Sequence, residues 1–472
     1  MATTICMLPD DVLLEIFDHY RNICHDTSLA VWEWHLLAHV CRRWRQIIFD
    51  SPRRLDVGIL CTDKTAVRKK LGIWPHLPIA VDYNFPRKLT RPEDGEDVIA
   101  ALEHPDRVCY FRLRWYSVSA LWLEKVVTMM QKPFPVLRSL IIQAFTYPVH
   151  LDWNAPSLSA DFLGGSAPRL QEISLQFISF PTLPTFLSST SDLVTLNLCK
   201  VPPTGYISPE AMVMCLAALP RLKTFVLKFQ SATSHPDRIN PPPITRSVLP
   251  ALTDFEFKGS SKYLEALVIQ IDGPRLSQIT IFYQDQVEVV QLSNFVYRSR
   301  GSRPILSRHA RLSIFSHQVS FCLYSHEKHP YSESGPARTV IFHEGFYGRV
   351  AEEFGQISST TNVVHLKIEI GKHDILDSIG DVEWQPLLHN FSTIRTLHVS
   401  RPLARCIALE LEYFRWVMFP GSLPYLDLIC LEGQSASSIQ NFVAARQLSG
   451  YPVTVISTKA EFDERLTCYV ST

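Results

Sequence analysis

Charge of one sign is the first thing this chain lacks. Its 472 residues carry 46 Lys+Arg against 46 Asp+Glu, a formal net charge of zero. Such a balance gives no electrostatic reason to bind nucleic acid or an anionic membrane surface. Clustered cysteines are also missing: the eleven cysteines lie singly, with no Cys-x-x-Cys. That usage fits reduced thiols, and the expected location is cytoplasm or nucleus. Apolar runs such as Ala211 to Leu219 are far too short to span a bilayer. The first residues show no charged lead followed by an apolar core, so no secretory signal is expected. On that basis the sequon Asn390-Phe391-Ser392 reads as a chance match.

Catalytic signatures are absent as well. There is no Gly-x-Gly-x-x-Gly, no Walker lysine loop and no Gly-x-Ser-x-Gly elbow. His35 and His39 have the spacing of a zinc helix but lack the glutamate that would act as base. His326, His329 and His343 with Glu344 would hold a metal only with a further ligand, and a polar loop is the simpler reading. Adjacent acids such as Glu352-Glu353 are ordinary solvated charges. The chain is therefore read as a non-enzyme that needs no cofactor and no metal.

What is present is concentrated near the amino terminus. Leu8-Pro9-Asp10-Asp11 opens a helix: Pro9 suits a first turn, and the two acids favour the positive helix end. Val12, Leu13, Ile16 and Phe17 then recur at helical spacing. A second helix is predicted from Leu36, Leu37, Val40, Trp44, Ile47 and Ile48, with Arg42, Arg43 and Arg45 interleaved and Ser51-Pro52 as its stop. Cys41, flanked by apolar and arginine residues, reads as a buried thiol on the helix face. Some fifty residues hide too little surface to bury so many large apolar side chains. Part of this surface should face another protein or the rest of the chain.

The Leu-Pro opening, followed by Val40-Cys41-Arg42-x-Trp44, resembles an F-box. A loop over 18–34 is longer than the common spacing, a form similar to a group of basidiomycete fungal F-box proteins. The resemblance runs on through Ser51-Pro52-Arg53-Arg54-Leu55-Asp56 to Ile73-Trp74-Pro75-His76-Leu77-Pro78-Ile79. It implies docking to a Skp1-like adaptor, and through it to cullin and RING subunits, by Leu8, Pro9, Val12, Leu13, Ile16, Phe17, Val40, Cys41 and Trp44. The implied role is a substrate-recognition subunit of an SCF-type ubiquitin ligase with an unknown protein target. The competing class is a ligase-independent scaffold that binds Skp1 without cullin, or uses the F-box as a structural cap.

The body of the chain repeats apolar-x-x-apolar-x-apolar. The triplets are Val108/Phe111/Leu113, Leu137/Leu140/Ile142, Leu170/Ile173/Leu175, Leu193/Leu196/Leu198, Leu222/Phe225/Leu227 and Leu252/Phe255/Phe257. They go on as Leu276/Ile279/Ile281, then weakly His309/Leu312/Ile314 and Ala337/Val340/Phe342. Val363/Leu366/Ile368, Ile394/Leu397/Val399 and Leu426/Ile429/Leu431 complete them. The mean step is about 29 residues, in the leucine-rich-repeat range. Proline discriminates better than the triplets: Pro135, Pro168, Pro220, Pro250, Pro274 and Pro424 each stand two residues before a first position. With 32 prolines in the chain, chance gives about one such coincidence. Proline there would end one segment and enter a strand where no ladder donor is needed.

The expected fold is thus α/β: a short all-α F-box-like domain (1–56), a connecting segment with a first capping repeat (57–107), and a curved leucine-rich-repeat-like solenoid of parallel strands (108–472, about 12 strand units). Helix-like stretches lie between strands, notably 120–130 and 209–219. Ser231 to Pro243 and Ser325 to Pro336 read as exposed loops. Outward strand positions such as Ser174, Gln176, Thr195, Asn197, Thr224, Val226, Thr396 and His398 are mostly small and polar, and no arginine cluster is evident among them.

Overall fold

The structure is a computed structural model that describes residues 8–23, 34–51, 58–62, 67–73, 77–84, 95–115, 120–144, 156–231, 245–283, 290–298, 307–315, 318–325, 338–343, 363–370, 384, 388, 391, 393–412, 423–434 and 436–456. The chain divides into two compact units, Met1–Gly205 and Tyr206–Thr472.

The first unit begins with helices α1 (Asp10–Ile23), α2 (Trp34–Ala38) and α3 (Arg42–Asp50). Six strands follow: β1 (Ile59–Cys61), β2 (Ile79–Asn84), β3 (Val108–Trp115), β4 (Ser139–Ala144), β5 (Glu172–Gln176) and β6 (Thr195–Val201). They pair in chain order, every pair parallel. Helices α4 (Val67–Ile73), α5 (Glu96–Leu102), α6 (Ala120–Met129) and α7 (Leu183–Leu187) form the crossovers that parallel pairing requires. Two strands, β1 and β2, therefore precede the first triplet read from the sequence. The triplets stack in register: Phe111, Leu140, Ile173 and Leu196 are mutual partners, as are Leu113, Ile142, Leu175 and Leu198.

In the second unit, α8 (Pro209–Ala217) leads into β7 (Thr224–Phe229), β8 (Ser247–Val248) and β9 (Asp254–Gly259). After α9 (Ser261–Val268) come β10 (Ile271–Asp272), β11 (Gln278–Tyr283) and α10 (Val290–Arg298). Strands β12 (Ser307–Phe315), β13 (Gln318–Ser325), β14 (Arg338–His343), β15 (His365–Ile370) and β16 (Thr396–Val399) follow. The described part closes with α11 (Arg401–Leu411), β17 (Leu428–Leu431), α12 (Gln440–Leu448) and β18 (Thr454–Ile456). Strands β8 and β10 make a small parallel pair of their own. In both units, each described triplet outside β12 and β14 is buried at all three positions. No described helix is long and apolar enough to cross a membrane.

The middle of this unit departs from a simple array of parallel strands. The order is β7-β9-β11-β14-β13-β12-β15-β16-β17-β18. Strand β14, not β12, lies beside β11, and β13 runs antiparallel to both β12 and β14. The reason is connection length. Only two residues separate Phe315 from Gln318, and a parallel crossover needs about a dozen. The chain must turn back, so the two weak triplets at 309 and 337 cannot be successive parallel rungs. The ladder also slips by two there: Ile281 pairs with Val340 and Leu312 with Ile368.

The repeated prolines have a different role from the one read in the sequence. Each is the second residue of a four-residue turn, not the first residue of a strand. Leu137 N donates to Phe134 O at 3.2 Å across Pro135, Leu222 N to Leu219 O at 3.2 Å across Pro220, and Leu426 N to Leu423 O at 3.2 Å across Pro424. Proline's fixed φ suits that position and its missing N–H costs nothing there. Acids then tie repeats together by capping helices. Glu265 accepts from Gln291 N (2.6 Å) and Leu292 N (2.8 Å) at the start of α10, and Glu412 from Asn441 N (2.9 Å) and Phe442 N (3.2 Å) in α12.

Candidate functional site

The amino-terminal helices form a small core and leave a few apolar side chains open at the surface. Helix α1 starts just after Pro9, whose carbonyl accepts the first helical bond from Leu13 N at 3.1 Å. Asp10 and Asp11 occupy its first turn. Leu13, Leu14 and Phe17 of α1, Ala38 of α2, and Trp44, Ile47 and Ile48 of α3 are all buried, and α3 packs against both α1 and α2. The Phe17 and Trp44 rings lie 4.7 Å apart at 60°, a favourable tilted aromatic pair.

The second predicted helix is two. It breaks at His39–Val40, and Cys41 adopts extended backbone angles as the N-cap of α3, its Sγ accepting from Trp44 N at 3.4 Å. Cys41 is half-buried and outside the helix, so the buried helix-face reading is corrected. The carbonyls freed at the end of α2 need donors, and Arg45 Nε supplies one to Ala38 O at 3.0 Å. Arg43 reaches back to the start of α1, donating to Leu8 O at 2.6 Å and through Nε to Asp10 Oδ1 at 3.0 Å. The loop expected over 18–34 is also shorter at its beginning, because α1 continues to Ile23.

The nine residues named from the sequence separate by exposure. Leu13, Phe17 and Trp44 belong to the helical core. Leu8 and Cys41 are half-buried, and Pro9 is exposed. Val12 (41 %), Ile16 (38 %) and Val40 (58 %) remain open, and so does Leu36 (49 %), which was not among the nine. Val12 and Ile16, four apart on α1, share one helix face. Arg43 is the contributor the sequence reading missed; its separation of 33 positions from Asp10 hides the pairing.

Residues 5–55 match the F-box-like family model. The matched span takes in α1, α2 and α3 and stops before β1. No curated protein matches the chain. F-box domains are typically adaptor modules rather than enzymes, and the domain implies in general a Skp1-type partner. The exposed apolar residues of the F-box-like domain are chemically suited to such a contact.

The outward strand positions named from the sequence are half-buried, except for Ser174, which is buried. Among them, His398 Nε2 lies 3.0 Å from Glu432 Oε1. Burial lowers the His398 pKa, and the Glu432 carboxylate partly opposes that. Glu432 Oε2 also accepts from Arg401 N, 3.1 Å away at the start of α11. His326, His329, Glu344 and Glu352-Glu353 lie outside the described residues, as do most of the two predicted loops. Among the described residues no cluster of three or more His, Cys, Asp or Glu side chains is arranged to hold a metal.

Proposed function

We propose that this chain is the substrate-recognition subunit of an SCF-type ubiquitin ligase, of the kind found among basidiomycete F-box proteins, acting in cytoplasm or nucleus. The observation that carries the reading is the F-box-like match over helices that leave Val12, Ile16, Leu36 and Val40 open. In this reading those residues, with Pro9, contact a Skp1-like adaptor, while Leu13, Phe17 and Trp44 hold the helices that present them. Residues beyond the F-box-like domain (57–107 as connection and first cap, 108–472 as repeats) are a leucine-rich-repeat-like solenoid that holds the target. The recurring strand triplets and proline turns support that assignment.

The chain itself performs no bond making. One end is held by the adaptor, cullin and RING assembly and the other holds the target. Tethering raises the effective concentration of a target lysine at the ubiquitin-charged enzyme. Affinity purification of the full chain with neddylation blocked tests this: recovery of both a Skp1-like adaptor and a cullin is expected. Recovery of adaptor without cullin would instead favour a ligase-independent scaffold that binds Skp1, and recovery of neither would refute both of those readings and favour the F-box as a structural cap.

A further inference from the structure

On β3, Phe111 and Leu113 face the core, while Tyr110, Arg112 and Arg114 are half-buried on the opposite sheet face. The ladder sets Asp82 of β2 beside Arg112 and Asn84 beside Arg114, with Ser139, Ile141 and Gln143 of β4 on the other flank. The two arginines share one acid. Arg112 Nη1 donates to Asp82 Oδ2 and Arg114 Nη2 to Asp82 Oδ1, each at 3.4 Å. The Arg112 guanidinium lies 5.2 Å from the Tyr110 ring centroid. This is an arginine cluster that the outward positions picked from later strands did not reveal.

Three properties point to a ligand. Both forks are underused: a guanidinium has five donors, the bonds to Asp82 are long, and both side chains keep part of their surface open. The carboxylate of Asp82 is only 7 % exposed, so it is fixed in place and orients both guanidinium groups. Among the described residues, Arg112, Arg114 and Asp82 sum to +1. The next described acid on this face, Glu172, stands on β5, accepts from Ser139 Oγ at 2.7 Å and is near enough to act on the Tyr110 hydroxyl. Burial pushes the Tyr110 hydroxyl up to about 12, so it adds no charge at neutral pH.

We infer that this patch receives an acidic peptide segment, with Arg112 and Arg114 gripping a glutamate or aspartate side chain of the target. The charge selects the class. A carboxylate at −1 matches the +1 of the patch, whereas a phosphomonoester carries about −1.5 to −2. Planar guanidinium forks suit a carboxylate in geometry as well. The inference rests on the proposal that the strand region holds the target.

The test uses the purified full chain and fluorescence anisotropy with labelled octapeptides of glutamate, glutamine, lysine and alternating phosphoserine-glycine. The glutamate peptide should bind, weaken on going to high salt, and exceed the other three. Asp82→Asn/Arg112→Gln/Arg114→Gln removes all three charges together, so no buried ion is left unpaired to unfold the chain. It should lose at least about tenfold in glutamate-peptide affinity, the loss of two charge-assisted contacts, while its melting temperature and adaptor recovery match the parent. Equal binding by the triple variant, no preference of the parent for glutamate over glutamine, or tighter binding of the phosphoserine peptide would overturn the inference. Adaptor recovery is read on the same samples, so a failure of the ligase proposal shows separately from a failure of this site.

Discussion

Truncating α1 on two different faces should separate adaptor binding from folding. Val12 and Ile16 are 41 % and 38 % exposed, whereas Leu13 between them is fully enclosed. Fully burying a large aliphatic side chain is worth about 1.5–3 kcal/mol. Covering the open two-fifths of Val12 and of Ile16 is therefore worth about 0.6–1.2 kcal/mol each. Val12→Ala/Ile16→Ala removes most of that gain, a loss of about 1–2 kcal/mol, or about five- to thirtyfold in Kd. Stability should fall by less than in Leu13→Ala, because about two-fifths of each side chain lies open rather than in the core. Leu13→Ala is predicted to do the reverse, opening a cavity at a cost of about 2–5 kcal/mol of folding stability. Calorimetric titration of a purified Skp1-like adaptor into each variant, paired with thermal melts, reads both quantities. A folded Val12→Ala/Ile16→Ala protein that binds the adaptor as tightly as the parent would refute the assignment of this face.

Two further outcomes follow from buried charge. Arg446 is almost wholly enclosed, donating to Leu423 O at 2.8 Å and Leu426 O at 2.9 Å, with the Phe442 and Tyr451 rings near its guanidinium. Arg446→Ala frees two carbonyls of a proline turn and should cost about 3–5 kcal/mol in urea unfolding; a loss under about 1 kcal/mol would show those bonds to be replaceable by water. His398 has its pKa lowered, chiefly by burial. The unfolded chain then binds the proton more readily than the folded one. Its contribution to stability is whole above the unfolded value of about 6.5 and is lost as pH falls from there toward the folded value. His398→Gln should flatten the pH dependence of the urea midpoint in that window, and an unchanged slope would count against this linkage.

The strands were legible because their signal is local and redundant. All twelve triplets fall on or directly before strands, and in the ten outside β12 and β14 all three positions are buried, which demands the same apolar pattern each time. The antiparallel β13 is not marked by the triplet pattern, because that pattern recurs only where a return segment follows each strand. Its sequence does carry the alternation Val319, Phe321, Leu323, and the two-residue gap before it forbids a parallel crossover. The break at Cys41 was hidden because Val40 and Trp44 keep helical spacing across it. Glu265 and Arg43 were invisible for another reason. Each acts on a partner twenty-six or more residues away, and sequence periodicity holds no information about such pairs.

Helix α1 shows why composition alone pointed outward before any geometry was known. At 100° per residue, Val12, Ile16, Leu13, Phe17 and Leu14 fall in that order around about 200° of the helix. One small core covers about half of such an arc. Leu13, Phe17 and Leu14 take the half that meets α2 and α3, and Val12 with Ile16 is the remainder, which stays exposed. A helix that is apolar over more than its own fold can cover has a second surface to satisfy. The sequence could mark the width of the arc but not where the core ends, because that boundary is set by Trp44, Ile47 and Ile48 on a different helix. The division between Leu13 and Ile16 is therefore a tertiary fact, and it is the reason why truncating the two residues together would confuse a lost partner with a lost fold.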